Sequence, residues 1–177
     1  MTKGPGHSVD FKPIKLLLLD VDGVLTEGHV VYDDNGAQIK AFQVKDGLGI
    51  RMLMDFGIHV GIITGRQSLA LDHRCKDLGI SLLHQGIKDK GTALHEILDK
   101  TGICAMDTAY MGDDLPDLAV MKRVGFPIAV ADACKEVLSC AWFITTARGG
   151  RGAVREISEA ILKAKGLWPR VVGRFEL

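Results

Sequence analysis

The chain has 177 residues, of which 47% are apolar and 25% charged, and its 22 basic side chains balance 22 acidic ones at a pI near 7.0. This length suits one domain, which we expect to span residues 1–177, and the balanced charge argues against nucleic acid as the main partner. The longest aliphatic run, within residues 14–21, is too short to cross a bilayer, and residues 1–13 lack the apolar segment of a signal peptide. We therefore expect a cytoplasmic protein with neither a nucleic-acid nor a membrane partner.

The first predicted elements are a buried strand and a hairpin. Residues 14–20 form an aliphatic run that ends in polar residues and Gly23, which is typical of a strand buried on both faces of a parallel sheet. We predict that this strand is the central one. Residues 29–32 and 38–44 are β-prone and flank the turn sequence Asp33-Asp34-Asn35-Gly36, which predicts a hairpin inserted at about residues 28–44.

Helices and strands alternate through the rest of the chain. The apolar spacing predicts helices at 47–56, 67–78, 92–100, 115–123 and 153–165, and strands at 58–64, 81–84, 108–111, 126–130 and 141–144. This alternation implies an α/β fold, a three-layer Rossmann-like parallel sheet with no separate cap domain, whose ligands bind at the carboxyl ends of the strands. The two ends, residues 1–13 and 168–177, are predicted to be loosely held.

Two carboxylates stand directly after the predicted central strand, in Asp20-Val21-Asp22-Gly23. Such a pair repels itself unless a cation lies nearby. A calcium-binding EF-hand loop is excluded, because its fifth and twelfth positions would be Val24 and Val31. The alternatives that remain are a turn with solvated acids and a functional site, and the signals further along the chain favour the site.

Three further polar signals lie at a predicted strand end or helix start. They are Thr64-Gly65-Arg66, Lys90, and Gly112-Asp113-Asp114-Leu115-Pro116-Asp117. Together with the pair of carboxylates after the first strand, which comes first, they make four signals. Their order resembles that of the four motifs of the haloacid dehalogenase superfamily of phosphatases. Each signal is weak alone, but the four together cover nearly the whole predicted core.

The resemblance implies a Mg²⁺-dependent phosphatase in which Asp20 attacks phosphorus to form an aspartyl-phosphate. Asp22 would act as the acid/base, protonating the leaving oxygen and later activating water. Mg²⁺ would be held by Asp20, Asp113 and the backbone carbonyl of Asp22, all of them hard oxygen ligands. Thr64 and Lys90 would contact the phosphate, and the ammonium would offset the repulsion between two anions.

Each of these residues also has a purely structural interpretation. Thr64 would then cap a strand end, and Lys90 would be a solvated charge at a helix start. Lys88 lies close enough in sequence to compete with Lys90 for the phosphate, although the spacing before the helix favours Lys90. For Asp114 we favour a helix N-cap, while Asp117 is left open between orienting the metal ligands and favouring the start of a helix.

Most members of the superfamily carry a separate lid, but the two segments available for one here, residues 27–46 and 67–89, are filled by the hairpin and by one helix with one strand. The chain therefore resembles the lidless branch, whose phosphatases hydrolyse 3-deoxy-D-manno-octulosonate 8-phosphate in lipopolysaccharide biosynthesis. The local matches are residues 19–25, 40–51, 63–66, 112–115 and 149–156.

In that branch the hairpins join into the centre of a homotetramer, and neighbouring subunits help to cover each site, the glycine-rich C-terminal segment included. The resemblance thus places four hairpin residues in a subunit contact, namely Val30, Tyr32, Ile39 and Phe42. An isolated hairpin would be marginally stable in a monomer, which also favours an oligomer.

The resemblance also assigns the substrate contacts. They map onto Asp22, Gln43, Val44, Lys45, Asp46, Gly47, Arg51, Arg66, Arg74, Lys90 and Arg151. Arg66 and Arg74 share a helical face, and with Arg51 we expect them to form an anion-binding rim, since a guanidinium group suits the carboxylate of a sugar acid. The alternative is surface arginine, above all for Arg74.

Two functional alternatives stay open. One is a phosphatase for a related nine-carbon, sialic-type sugar acid phosphate. The other is a catalytically silent oligomerisation or regulatory module, against which the intact acidic residues argue.

Overall fold

A parallel β-sheet forms the centre of the fold in the computed structural model, which describes residues 10–176. The strands, including two that form a separate hairpin, are β1 (Leu16–Leu19), β2 (Val31–Tyr32), β3 (Gln38–Ile39), β4 (His59–Ile63), β5 (Leu82–His84), β6 (Thr108–Gly112), β7 (Phe126–Ala129) and β8 (Phe143–Ile144). Six of them pair in parallel in the order β5-β4-β1-β6-β7-β8. Because all four leucines of β1 are buried, this strand is covered on both faces, as predicted for the central strand.

Helices cover both faces of the sheet. They are α1 (Val44–Asp55), α2 (Leu69–Leu78), α3 (Lys90–Thr101), α4 (Leu118–Met121), α5 (Lys135–Cys140), α6 (Ala153–Ala164) and α7 (Trp168–Gly173), with short 3₁₀ turns at Ala105–Asp107 and Leu115–Asp117. Helix α1 packs against α2 and α6, whereas α4 packs against α3 and α5. Right-handed crossovers place these two groups on opposite faces, so the predicted three-layer α/β fold is confirmed.

The antiparallel pair β2 and β3 forms the predicted hairpin after the first strand. Its turn is held by Asp33, whose side-chain oxygen accepts hydrogen bonds from the amides of Asn35 at 2.9 Å and Ala37 at 2.7 Å. The hairpin stands away from the core, and Val31, Tyr32 and Ile39 are each about half exposed. A two-stranded ribbon with an exposed apolar surface is marginally stable by itself.

Several element boundaries differ from the sequence predictions. Helix α1 begins at Val44 rather than at residue 47, because the side chain of Gln43 caps it by accepting from the amide of Lys45. The helix predicted at 115–123 is instead the 3₁₀ turn followed by the single turn of α4. Helix α5 was not predicted, and it shortens the strand predicted at 141–144.

Residues 10–13 and 168–176 are packed on the core, which corrects the expectation that these parts of the two ends are loosely held. Phe11 is buried and stacks edge-on against Phe143 with ring centroids 5.2 Å apart. Near the other end, α7 buries Val171. Residues 1–9 and 177 lie outside the described residues. Within residues 10–176, every helix is too short or too polar to span a membrane.

Candidate active site

Asp20 lies at the centre of a buried polar cluster at the carboxyl end of the sheet. It directly follows β1, and its amide continues the strand ladder by donating to the carbonyl of Met111 at 3.1 Å. One carboxylate oxygen, Oδ1, accepts a hydrogen bond from Nζ of Lys90 at 2.7 Å. Both side chains are more than nine-tenths buried, so this contact is an ion pair held away from bulk water.

Lys90 reaches Asp20 from the first residue of α3, which corrects the expectation that it precedes the helix. The helix begins early because the Asp89 side chain caps it, accepting from the amide of Gly91 at 2.9 Å. Burial lowers the pKa of Lys90, but the carboxylates of Asp20 and Asp117 raise it above its ordinary value overall. Lys90 is therefore an ammonium in this cluster, and Lys88 is exposed.

Asp117 binds four donors with its two carboxylate oxygens. Oδ1 accepts from Nζ of Lys90 and from the hydroxyl of Tyr110, each at 2.6 Å. Oδ2 accepts from the backbone amides of Asp113 at 2.8 Å and Asp114 at 3.2 Å. These bonds fix Lys90 and the backbone of Asp113 relative to each other, so an orienting role is favoured for Asp117. Asp114 caps the 3₁₀ turn, as predicted.

Asp20, Asp113 and Asp117 bring one carboxylate oxygen each to within 4.8 Å of one another, close enough to share one cation. Burial, followed by the neighbouring carboxylates, raises the pKa of Asp113 to about 8. Burial also raises the pKa of Asp20 to about 6, against the opposing effect of Lys90. A divalent cation would relieve this repulsion, and carboxylate oxygens suit Mg²⁺. Since Asp117 is already saturated with donors, Asp20 and Asp113 are the available ligands.

Two glycines allow the loop after β1 to approach Asp113. Gly23 has φ of +98°, and a Cβ placed there would lie 2.1 Å from Oδ2 of Asp113. A Cβ on Gly149 would lie 1.6 Å from the carbonyl oxygen of Gly23. The amide of Gly150 donates to the carbonyl of Val24 at 2.9 Å. The glycine-rich segment thus braces the loop of its own chain, beside the predicted Mg²⁺ ligands.

Asp22 lies on the same loop and contacts two basic residues. Nζ of Lys40 donates to its Oδ1, and Nε of Arg66 lies 3.9 Å from its Oδ2. Lys40 follows β3 at the base of the hairpin. Sequence reasoning missed this contact, and the one available signal was a lysine at the end of a predicted strand of the hairpin.

Thr64 follows β4, the strand next to β1, and is buried. Its amide donates to the carbonyl of His84 at 2.9 Å and its carbonyl accepts from Ile87 at 3.1 Å. The backbone of Thr64 is therefore fixed beside the loop that carries Asp20. Arg66, two residues further on, is about half exposed.

Arg74 has partners within its own chain, so it is not a free surface residue, and the anion-binding rim expected with Arg66 stays a prediction. Its guanidinium lies over the ring of Phe42, 5.8 Å from the centroid, and Nη2 donates to the carbonyl of Gln43 at 3.4 Å. A Cβ on Gly47 would lie 2.1 Å from that nitrogen. Phe42 is partly buried and packs against the core of its own chain, and its expected place in a subunit contact stays a prediction.

Three more of the predicted substrate contacts bind elsewhere in the chain. Asp46 is buried and accepts from the amide of Arg155 at 2.7 Å, so its carboxylate stabilises the start of α6. Arg51 donates to the carbonyl of Asp77 at 3.1 Å, at the far end of α2. Arg151 pairs with Glu27 at 2.9 Å.

The two predicted contacts in the first turn of α1 are exposed, namely Val44 and Lys45. Their side chains are thus accessible from outside this chain. The structure therefore joins Asp20, Lys90, Asp113 and Asp117 in one cluster, with Asp22 on the adjoining loop. It assigns internal contacts to Asp46, Arg51, Arg74 and Arg151.

Comparison with known proteins agrees with this geometry. A family model described as haloacid dehalogenase-like hydrolase matches residues 79–157. The chain is 46% identical over 153 residues to the 3-deoxy-D-manno-octulosonate 8-phosphate phosphatase KdsC of Escherichia coli K12, a match that covers 86% of this chain and 81% of that protein.

Two solved structures of similar proteins contain ions or ligands. The 3-deoxy-D-manno-octulosonate 8-phosphate phosphatase from Moraxella catarrhalis, in complex with a magnesium ion, a phosphate ion and a KDO molecule, is 46% identical with a TM-score of 0.91 over 94% of this chain and 95% of that chain. The cobalt-bound phosphatase YrbI from Haemophilus influenzae is 45% identical with a TM-score of 0.86 over 89% of this chain and 92% of that chain.

Proposed function

Because the chain belongs to the haloacid dehalogenase-like hydrolases, in the family of the 3-deoxy-D-manno-octulosonate 8-phosphate phosphatases, we propose that it hydrolyses this sugar acid phosphate to the free sugar acid and inorganic phosphate. The observation that carries the proposal is the ion pair of Lys90 with Asp20, 2.7 Å long and adjacent to Asp113. It brings a nucleophile, an ammonium and a metal-binding carboxylate together at one sheet edge. The reaction belongs to lipopolysaccharide biosynthesis, and we place it in the cytoplasm.

Mg²⁺ is the cofactor that this cluster suits. Asp20 and Asp113 would hold it with their carboxylates, and Asp22 would add its backbone carbonyl. The fit rests on geometry, because Asp20 and Asp113 bring carboxylate oxygens to within 4.8 Å of each other in a buried cluster. Burial, and then the neighbouring carboxylates, raise the pKa of Asp113, and a bound cation would favour its ionised form. When bound, Mg²⁺ supplies positive charge that lowers the repulsion between Asp20 and the phosphoryl oxygens.

In the first half-reaction, a carboxylate oxygen of Asp20 attacks phosphorus and forms an aspartyl-phosphate as the bond to the sugar oxygen breaks. Lys90 neutralises charge on Asp20 and on the phosphoryl group, and Thr64 donates to a phosphoryl oxygen. Asp22, protonated at the start of this step, gives its proton to the leaving sugar oxygen. Arg66, half exposed beside Asp22, is placed to contact the departing sugar acid.

In the second half-reaction, water attacks the phosphorus of the aspartyl-phosphate. Asp22 is now ionised and takes a proton from this water, which restores its starting state. The bond from phosphorus to Asp20 breaks, inorganic phosphate leaves, and the free carboxylate of Asp20 pairs again with Lys90. One acid/base group thus serves both steps because the leaving oxygen and the attacking water occupy the same side of phosphorus.

Residues 10–176 form no separate lid, which supports a further part of the proposal, a homotetramer in which neighbouring subunits complete each site. The exposed apolar side chains of the hairpin, Val31, Tyr32 and Ile39, supply a surface for subunit contact. Several predicted substrate contacts, among them Gln43 and Gly47, have partners within their own chain. We assign these residues to the wall of the active site of a neighbouring subunit. Their internal bonds would then hold that wall rigid.

A substrate panel tests the proposed reaction. Phosphate release would be measured with the 8-phosphate of 3-deoxy-D-manno-octulosonate, a nine-carbon sialic-type acid phosphate and simple sugar phosphates, each with Mg²⁺ and with chelator. We expect the eight-carbon acid phosphate to give the highest kcat/KM and turnover to require the metal. Preference for the nine-carbon acid would contradict the substrate assignment but keep the reaction class, and inactivity on every substrate would favour a silent module.

Light scattering tests the assembly. Tyr32→Asp places a charge on the exposed hairpin surface, and we expect smaller species with reduced turnover. Lys100→Met, on exposed α3 surface, serves as the control. A fully active monomer would contradict shared sites.

A further inference from the structure

Lys40 is a buried lysine outside the motifs that indicated the active site. It directly follows β3, and its side chain is only 2% exposed. Lysine is almost never fully buried unless it is paired, and here Nζ donates to Oδ1 of Asp22. Lys40 is the one buried lysine among the described residues of the hairpin. Its ammonium group contacts Asp22, whose carboxylate we assign to proton transfer.

The other carboxylate oxygen of Asp22 is in a different environment. Oδ2 is buried, yet it has no hydrogen-bond partner among residues 10–176. Nε of Arg66, at 3.9 Å, is too distant for a hydrogen bond. A buried carboxylate oxygen without a partner is costly unless a partner arrives during function. The two oxygens are therefore unequal, because one is fixed by Lys40 and the other is available.

We propose that Lys40 is a positioning residue that fixes Oδ1 of Asp22, so that Oδ2 is the oxygen that exchanges protons with the leaving group and with water. This inference rests on the proposed function and specifies which atom performs it. The proton on Oδ2 moves to the sugar oxygen as the phosphorus–oxygen bond breaks. A proton then returns to Oδ2 from the water that attacks the aspartyl-phosphate, so that protons balance over the cycle.

The same contact couples the hairpin to the chemistry. Lys40 and Asp22 are 18 residues apart in sequence, and the whole hairpin lies between them. Because β3 ends one residue before Lys40, the position of the hairpin relative to the core determines where the ammonium group of Lys40 lies. Contacts that orient the hairpin therefore also orient the acid/base carboxylate.

Leaving-group dependence tests this role. An alkyl phosphate needs a proton on its leaving oxygen, whereas p-nitrophenolate leaves readily without one. The two substrates would be β-glycerophosphate and p-nitrophenyl phosphate, with Lys40→Met, Lys40→Arg and the control Lys100→Met. In Lys40→Met we expect the ratio of kcat/KM for the alkyl phosphate to kcat/KM for the aryl phosphate to fall by about tenfold or more. This loss is part of the rate enhancement of about 10²–10⁴-fold that a general acid supplies. Lys40→Arg should largely restore the ratio, and the control should leave it unchanged.

A double-mutant cycle gives a second, independent result. In an Asp22→Asn background, Lys40→Met should change the ratio no further, because the group that Lys40 orients is gone. An equal fall for both substrates, or a further fall in that background, would overturn the proposal. If Lys40→Met does not fold, Lys40→Gln takes its place in both comparisons. Because the ratio uses generic phosphates, rejection of the sugar acid phosphate by the wild type would overturn the substrate assignment alone.

Discussion

Nζ of Lys90 lies between two carboxylates, 2.7 Å from Asp20 and 2.6 Å from Asp117, although these residues are 70 and 27 positions away in sequence. An ammonium so enclosed has little freedom to move, and its charge is screened only weakly by water. Asp117 also holds the amide of Asp113 at 2.8 Å. One lysine therefore links the proposed nucleophile to the backbone of the proposed metal ligand.

The first prediction concerns the two neighbouring lysines. Lys90→Met should reduce kcat by about 10²-fold or more, because a charged donor in a site shielded from water contributes strongly to transition-state stabilisation. Lys88→Met, which removes an exposed charge two residues away, should keep nearly full activity. Steady-state kinetics on both variants decide the matter, and equal losses would contradict the assignment of Lys90.

The second prediction is that Mg²⁺ binding releases protons and strengthens as the pH rises. With a pKa of about 8, the carboxyl of Asp113 is largely protonated at neutral pH in the metal-free protein and must lose its proton to bind a cation. Affinity should therefore increase up to about pH 8 and then level off. Calorimetry in two buffers of different ionisation enthalpy would detect the protons, and a pH-independent affinity would contradict the prediction.

The same pKa shifts predict the stability of the metal-free protein. Asp20 and Asp113 have folded-state pKa values of about 6 and about 8, above the 3.8 of an ordinary aspartate. The folded state therefore binds more protons than the unfolded chain, and this contribution is complete below pH 3.8 and lost as the pH rises through 6 and 8. Asp113→Asn should flatten that part of the profile. Denaturant titrations with chelator would measure it.

The third prediction separates the roles of two acids, three residues apart, at the two ends of one 3₁₀ turn. Asp117→Asn should lower Mg²⁺ affinity or activity by about 10–100-fold, because an amide cannot accept four hydrogen bonds and the groups it orients would shift. Asp114→Asn should have little effect, since asparagine caps a helical turn nearly as well as aspartate. Metal titration and kinetics on both variants test this, and a large loss confined to Asp114→Asn would reverse the assignment.

The fourth prediction concerns the segment that braces the nucleophile loop. Gly149→Ala should destabilise the fold by about 1–3 kcal/mol and lower activity, because the added methyl group would meet the backbone of Gly23. Gly173→Ala, where a Cβ meets nothing within 4 Å, should be neutral or slightly stabilising. Thermal unfolding of both variants gives the comparison. A Gly149→Ala protein as stable as wild type would contradict the prediction, because it would show that the segment can move to accommodate the methyl group.

Local sequence patterns predicted the parallel sheet and the acidic residues at its edge well. Four consecutive buried leucines form a continuous apolar run, and the carboxylate of Asp20 marks its end, so both signals are local in sequence. The order of the motifs then placed Lys90 opposite Asp20. That contact joins residues 70 positions apart in the sequence. The rule that ligands bind at the carboxyl ends of parallel strands predicts a shared sheet edge, but it does not say which lysine reaches the carboxylate.

Sequence patterns did not predict the partners that two of these side chains find within the chain. Arg74 lies on α2, eight residues after Arg66, and its guanidinium packs over the ring of Phe42 in the space left by Gly47. The resemblance assigns Asp46 to the substrate, and the structure adds a contact with the start of α6, more than a hundred residues later, which the sequence did not indicate. Such contacts depend on helix packing, which periodicity alone does not specify.

Acid-quenched turnover followed by mass spectrometry of the peptide that contains Asp20 tests the central claim most directly. During hydrolysis of the eight-carbon sugar acid phosphate with Mg²⁺, we predict that Asp20 carries the mass of one phosphoryl group. The label should disappear when substrate is exhausted and be absent from Asp20→Asn. Product formation without a label on Asp20 at any time, or a label on another residue, would contradict the account.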